Sequence, residues 1–317
     1  MEKNGLMEAM KKPEAAEAFA ELLKEALLQH LDPDVFEIVV RKTEKTNCIK
    51  TGIAVREKTS PVAAVVYAED ILASLWEKPR PIHVVAEEIA GMVRQPLPFG
   101  SNNVKCLDEW ENAKDRIQLR LVNTALNKSL LDSCPHREFF DLSVIYWVAV
   151  GEAASARVDN DTLEMWGITE EELFYAGCES MRRNSSIVLR PVTEVLAERG
   201  VPGFEAPFEA GSGAGPSLYV LLGNNPNMAS AILFSNAVEE LSERYSGDVY
   251  IMPSSIHEVL LLPEYDGVDV RFLLQMVRDA NRAVVKKEDF LSDSVYVYRC
   301  QTGAYEVIRQ EDGAAWT

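Results

Sequence analysis

The sequence lacks an apolar run able to cross a bilayer: stretches such as Val62–Tyr67 and Val259–Leu262 fall far short of the roughly 20 residues that a membrane helix needs. Residues 1–13 carry Glu2, Lys3, Lys11 and Lys12 and lack the apolar core and small-residue cleavage site of a secretory signal. A cytoplasmic protein with no membrane contact is the expectation. Basic charge is scarce, with 32 Lys and Arg against 50 Asp and Glu and a net charge of -18. That sign repels phosphate backbones, and no Lys/Arg run interleaved with aromatics offsets it, so nucleic acid is excluded as a partner. Cys48, Cys106, Cys134, Cys178 and Cys300 are odd in number and never at redox-pair or zinc spacing, which reads as free thiols. His30, His83, His136 and His257 are equally scattered. Neither a metal nor a cofactor is expected.

What is present is ample core material, 47% apolar over 317 residues, enough for one or two domains. Pro13 suits the first turn of a helix, and Phe19, Leu22, Leu23, Ala26, Leu27 and Leu31 follow at helical spacing up to a stop at Asp32-Pro33. Val35–Arg41, Gly52–Arg56 and Val62–Tyr67 read as antiparallel strands, and Asp70–Glu77 and Ile82–Val93 as helices. Gln95–Asn103, with Pro96, Pro98 and Gly100, reads as a linker. This divides the chain into residues 1–95, a helix plus a small α/β module, and residues 104–317, a larger α+β region.

In the second part, alternation over Ile117–Leu121 and the apolar run Asp141–Val150 predict strands. Thr169, with Glu172 three residues on and Ile168 set to pack on Leu173, predicts a capped helix over Glu170–Met181. A glycine-rich loop, Gly200–Pro216, lacks the Gly-Lys-Ser/Thr ending of a phosphate cradle and reads as a linker. Then follow a strand (Ser217–Leu222), a helix from Asn225-Pro226 to near Gly247, strands at Asp248–Met252 and Ile256–Leu262, a helix (Asp269–Val285) and a strand (Ser294–Arg299). That order over residues 217–300 is βαββαβ, a split βαβ, ferredoxin-like unit. The fold class is therefore α+β, antiparallel sheets with helices on one face. The acidic tail Gln310–Thr317 reads as disordered.

Several segments together carry a resemblance: Pro253-Ser254-Ser255-Ile256-His257-Glu258, Leu291-Ser292-Asp293-Ser294-Val295-Tyr296-Val297-Tyr298, the Asn123 and Asn127 pair followed by Leu130-Leu131 and Asp141-Leu142, and Trp166-Gly167-Ile168-Thr169 before Glu172-Leu173. Over Phe36–Tyr298 the chain resembles a bacterial domain-of-unknown-function family, number 5688. One departure is the run Ala176-Gly177-Cys178-Glu179-Ser180, where the family pattern has Ala-x-x-Asn-Thr. The resemblance implies no cofactor and no catalytic residue.

Ser254, Ser255, His257 and Glu258 bring hydroxyl, imidazole and carboxylate within five residues, so a hydrolase reading starts there. If Ile256–Leu262 is a strand, His257 and Glu258 point to opposite faces and cannot orient one another. Leu261 stands where a zinc protease needs its second histidine, and a turn fixed by Ser254 or Ser255 is the simpler account. Asn123, Asn127 and Asp141 flank strand ends and Asn281 lies on a core-facing helix row; they either line a pocket or satisfy irregular backbone. The Asn224-Asn225-Pro226 junction has the position of an anion site, though capping explains it. No coherent catalytic set emerges, so the leading expectation is a non-enzymatic interaction or regulatory module with a protein partner. The alternatives are a small-molecule hydrolase using His257 with Ser254 or Ser255 and a distant carboxylate, and a metabolite sensor built on Asn123, Asn127 and Asn281.

Overall fold

The structure is a computed structural model and describes residues 13–60, 63–95, 107–151, 155–198, 217–266 and 268–309. The chain splits into two compact units, Met1–Gly100 and Ser101–Thr317. The linker expected at Gln95–Asn103, apart from Gln95, lies outside the described residues, as do the Gly200–Pro216 loop and the Gln310–Thr317 tail.

The first unit runs α1 (Pro13–Leu27), β1 (Phe36–Lys45), β2 (Cys48–Glu57), β3 (Ala64–Tyr67), α2 (Ala68–Glu77) and α3 (Ile82–Val93). The three strands form an antiparallel sheet in chain order. Alternation sends Ile38, Ile53 and Val55 to one face, where Ala16, Ala20, Leu23 and Leu27 of α1 and Val85, Ala86 and Ile89 of α3 cover them. Two details of the sequence reading change here. Leu22 is 57% exposed, because the buried stripe follows Ala16, Ala20, Leu23 and Leu27 instead. The helix also ends at Leu27, where the bonds tighten to Gln29 N–Ala26 O and His30 N–Leu27 O, the 3₁₀-like closure common at helix ends.

The second unit contains two sheets. β4 (Ile117–Asn123), β5 (His136–Phe139), β6 (Leu142–Ala149) and β7 (Ser155–Arg157) form one, with β6 between β4 on one side and β5 and β7 on the other. Short helices α4 (Trp110–Ala113), α5 (Lys128–Asp132) and α6 (Asn160–Trp166) lie among these strands, and α7 (Glu170–Asn184) follows them in the chain. The expected capping box opens α7: Thr169 Oγ1 accepts from Glu172 N at 3.2 Å while Thr169 N donates to the Glu172 carboxylate at 2.8 Å. Those bonds hold the Glu172 carboxyl below its usual range, the backbone bond first. Helix α7 packs on β4 so closely that a Cβ on Gly177 would stand 2.5 Å from Leu119 Cδ2.

The second sheet has six strands, ordered β13-β12-β10-β11-β9-β8 and antiparallel throughout. It comprises β8 (Ile187–Pro191), β9 (Tyr219–Gly223), β10 (Val249–Met252), β11 (Val259–Pro263), β12 (Val295–Arg299) and β13 (Ala304–Ile308). Helix α8 (Val192–Glu198) follows β8, α9 (Ala237–Tyr245) lies between β9 and β10, and α10 (Val270–Ala283) between β11 and β12. The βαββαβ order is thus present and the class is α+β, but the sheet corrects the finer expectation. A ferredoxin-like unit puts its first and third strands at the centre, whereas the hairpin β10-β11 is central here and β9 and β12 flank it.

Both crossovers therefore step over one strand in the same direction from strands that run oppositely. Two crossovers of one hand must then lie on opposite faces, and they do. Val238 and Leu241 of α9 join Val249, Ile251, Val259 and Leu261, while Leu273, Leu274 and Val277 of α10 cover Tyr250, Met252, Leu262, Val295 and Val297. Helices on one face describes the three-stranded sheet and not the six-stranded one.

Two boundaries also move. The helix expected from Asn225 to Gly247 is a buried 3₁₀ segment, Met228–Leu233, followed by α9; the break falls at Ser235-Asn236, whose short polar side chains favour helix starts over interiors. β11 begins at Val259 instead of Ile256 because Ser255 bridges Phe290 and Ile256 N donates to Asp289 O at 2.9 Å. The inner faces of both sheets, α7 and the 3₁₀ segment share one core around Leu119, Tyr146, Leu173, Ile232 and Tyr296.

Candidate functional site

Phe139 pairs with Leu142, so Phe140 and Asp141 form the turn between β5 and β6. Phe140 sits at φ 59, a region that bulky residues rarely enter. From this turn Asp141 Oδ1 accepts the Tyr296 hydroxyl at 2.5 Å, and Oδ2 accepts Ser292 at 2.6 Å and Ser294 at 3.2 Å. Tyr296 is fully buried, and burial first, then the Asp141 charge, pushes its phenol far above the usual range.

Asn123, the last residue of β4, donates to Leu291 O at 2.8 Å and accepts from Leu126 N at 3.0 Å; Asn127 donates to Asn123 O at 2.7 Å. Asn281 on α10 donates to Ser292 O at 3.0 Å and Asp293 Oδ1 at 2.7 Å, and its own Oδ1 is buried without a partner. Asn123, Asp141 and Asn281 thus meet on the Leu291–Tyr296 segment, and Asn127 reaches it through Asn123. The arrangement ties the end of β4, the β5-β6 turn and α10 to the entrance of β12.

The Pro253–Glu258 segment is a bend and not a strand, so alternation does not place its side chains. Ser254 O accepts from Leu291 N at 3.1 Å, and buried Ser255 takes His257 N on its hydroxyl at 3.3 Å. His257 Nδ1 faces Pro226 O at 2.8 Å and Nε2 faces Asp289 Oδ1 at 3.3 Å. Both ring nitrogens are directed at oxygen acceptors, and neither is turned to the hydroxyl of Ser254 or Ser255. The carboxylate paired with His257 is Asp289, not Glu258, and no local signal in the sequence links those positions. Asn224 and Asn225 hold backbone: their amide oxygens accept from Ser186 N at 3.0 Å and Asn227 N at 2.8 Å. Among the described residues no group of three or more His, Cys, Asp or Glu is placed to hold a metal ion, and no helix is long and apolar enough to cross a membrane.

A feature the sequence did not reveal is a cleft of about 300 Å³ between the edge strands β5 and β13. Arg137 and Phe139 of β5, Phe174 and Arg182 of α7, Ser235 and Glu239 beside and within α9, and Tyr305 of β13 line it. Arg137 binds Glu170 through Nε at 3.1 Å and Nη2 at 2.9 Å and lies 4.1 Å from the centre of the Phe174 ring; Glu170 also accepts the Tyr146 hydroxyl. Arg182 binds Glu179 at 2.5 Å and Phe234 O at 2.8 Å. Glu239 Oε1 accepts from Tyr305 at 3.3 Å, whereas its Oε2 and the Ser235 hydroxyl are buried without partners. With Ser235 and Glu239 read as the middle of a long helix, nothing in the sequence marks them as a site.

No curated protein and no solved structure matches the chain. One family model does, over residues 16–300, which takes in the hydroxyl-rich segment that Asp141 grips and the bend that holds His257: the chain belongs to the family of unknown function DUF5688.

Proposed function

We propose that the protein is a binding module for a small organic molecule, with the cleft between β5 and β13 as its site, acting through occupancy of that cleft in a regulatory role. The observation that carries this reading is the pair of unsatisfied groups in the cleft wall, Glu239 Oε2 and Ser235 Oγ. A buried polar atom without a partner costs about 1–3 kcal/mol, and such groups are uncommon enough in folded proteins to call for an explanation. A ligand that donates to them supplies one. The cleft also has the form of a small-molecule site, concave and walled by rings with a few converging polar groups. The residues around His257 and Asp141 support this choice differently, since their hydrogen-bonding groups are directed at other parts of the chain.

A thermal-shift screen of small polar metabolites tests the reading, because a ligand that binds only the folded state raises the melting temperature by mass action. Glu138 lines the cleft from an exposed position, so Glu138→Trp narrows the site with little effect on folding. Hits that shift the native protein and lose their shift in Glu138→Trp are the expected result. Hits insensitive to that substitution, or none at millimolar concentration, would end the proposal.

A further inference from the structure

We infer that the ligand of this cleft is an organic ammonium ion with a compact apolar body, an inference that rests on reading the cleft as a binding site. Charge comes first. The two guanidiniums in the wall are already matched, Arg137 by Glu170 and Arg182 by Glu179, while Glu138 and Glu239 have no basic partner among the described ion pairs. The wall is left with an excess of negative charge, which repels an anion and attracts a cation.

The unsatisfied atoms give the second argument. Glu239 Oε2 can only accept, and an ammonium group brings up to three donors, enough for Oε2 and for the Ser235 hydroxyl together. The end torsion of a glutamate is soft, so turning the carboxylate presents either oxygen to the cleft. A neutral apolar molecule would leave both groups as they are, buried and unpaired.

The rings supply the third argument. Phe139 and Tyr305 stand edge to face with centroids 6.0 Å apart, and a cation is attracted to an aromatic face as well as to a carboxylate. The Phe174 ring already has Arg137 over it, which shows the same wall holding a cation. About 300 Å³ is at the small end of ligand sites, so the body attached to the ammonium is compact.

The experiment titrates the full chain by calorimetry with three matched sets of probes: 2-phenylethylamine and isopentylamine, the corresponding alcohols, and the corresponding carboxylates. Amines are expected to bind at least tenfold more tightly than the alcohols, and carboxylates not to bind. Glu239→Gln, which preserves shape, is expected to weaken the amines at least tenfold and leave the alcohols unchanged. Should that variant fold poorly, the comparison of probes on the native protein still decides. Alcohols binding as well as amines, or amine binding unchanged in well-folded Glu239→Gln, overturns the ammonium assignment. The cleft reading survives that result as long as Glu138→Trp still abolishes binding, and falls with it if no probe responds to Glu138→Trp.

Discussion

Tyr296 donates its buried hydroxyl to Asp141 Oδ1 at 2.5 Å across 155 residues of sequence, joining the six-stranded sheet to a turn of its neighbour. Because Ser292 and Ser294 occupy the other oxygen, removing the carboxylate strands three hydroxyls at once. Hydrogen bonds to a charged group contribute about 1.5–3 kcal/mol each, so Asp141→Ala should cost about 3 kcal/mol or more. In a unit of this size that is a fall of roughly 10 °C in melting temperature. Tyr296→Phe should cost about half as much, and the double variant less than the sum. Additivity of the two in urea titrations would show that the bond contributes nothing specific.

The same pairing occurs three times: Tyr146 with Glu170, Tyr296 with Asp141 and Tyr305 with Glu239. In each case burial first, and the carboxylate next, pushes the phenol well above its usual range. In the unfolded chain these phenols lose their protons near pH 10, while the folded protein keeps them. Above that pH the folded state holds more protons, so stability falls as pH rises, by about 1.4 kcal/mol per pH unit for each tyrosine. Below about pH 9 the three contribute no slope. Urea midpoints between pH 8 and 11.5 should show this alkaline limb, and Tyr296→Phe should make it shallower. An equally steep limb in that variant would assign the effect to other groups.

How much of this was legible in the sequence depended on range. The box at Thr169 and Glu172 and the helix Ile82–Val93 rest on contacts within a few residues, and both stand where the pattern puts them. The class α+β followed from counting strands and helices. Which face each helix covers did not, because that depends on β10 and β11 lying side by side at the sheet centre. The amides and carboxylate at Asn123, Asp141 and Asn281 were visible as candidates, but their meeting point on Leu291–Tyr296 arises from pairings 11 to 168 residues apart. Asp289 beside His257 and Glu239 in the cleft had no signal at all, since a scattered acid in an acidic chain looks like solvated surface.

Two glycines should respond very differently to alanine. At Gly177 the new methyl would meet Leu119 Cδ2 at 2.5 Å and Ile117 Cγ2 at 3.2 Å, side chains that can turn. Overpacking costs about 1–3 kcal/mol, and about 1 kcal/mol returns through helix propensity, so Gly177→Ala should fold with a small loss. At Gly223 the methyl would stand 2.4 Å from the Ser186 carbonyl oxygen and 2.6 Å from Met228 Sδ. Backbone cannot turn aside, and Gly223→Ala should disrupt the pairing of β8 with β9. Equal melting temperatures for the two variants would contradict this account.

Arg120 gives a prediction with the opposite sign. It lies on the face of β4 turned away from the shared core, 4.0 Å over the Trp147 ring, with bonds to Ser155 at 2.7 Å and Gln118 at 3.4 Å. No carboxylate among the described residues pairs with it, and Arg120 Nε and Trp147 Nε1 are both buried without acceptors. Burial alone lowers the guanidinium to about 10, so the folded state gives up this proton before the unfolded chain does and the charge is a cost at neutral pH. Replacing an uncompensated buried charge by an apolar side chain of similar length is neutral or stabilising. Arg120→Met should therefore melt at or a few degrees above the native protein at pH 7. Arg120→Lys should melt lower, because an ammonium keeps the charge and loses the planar stack on Trp147. If the Met variant melts well below the native protein, the stack and the Ser155 bond outweigh the cost of burying the charge.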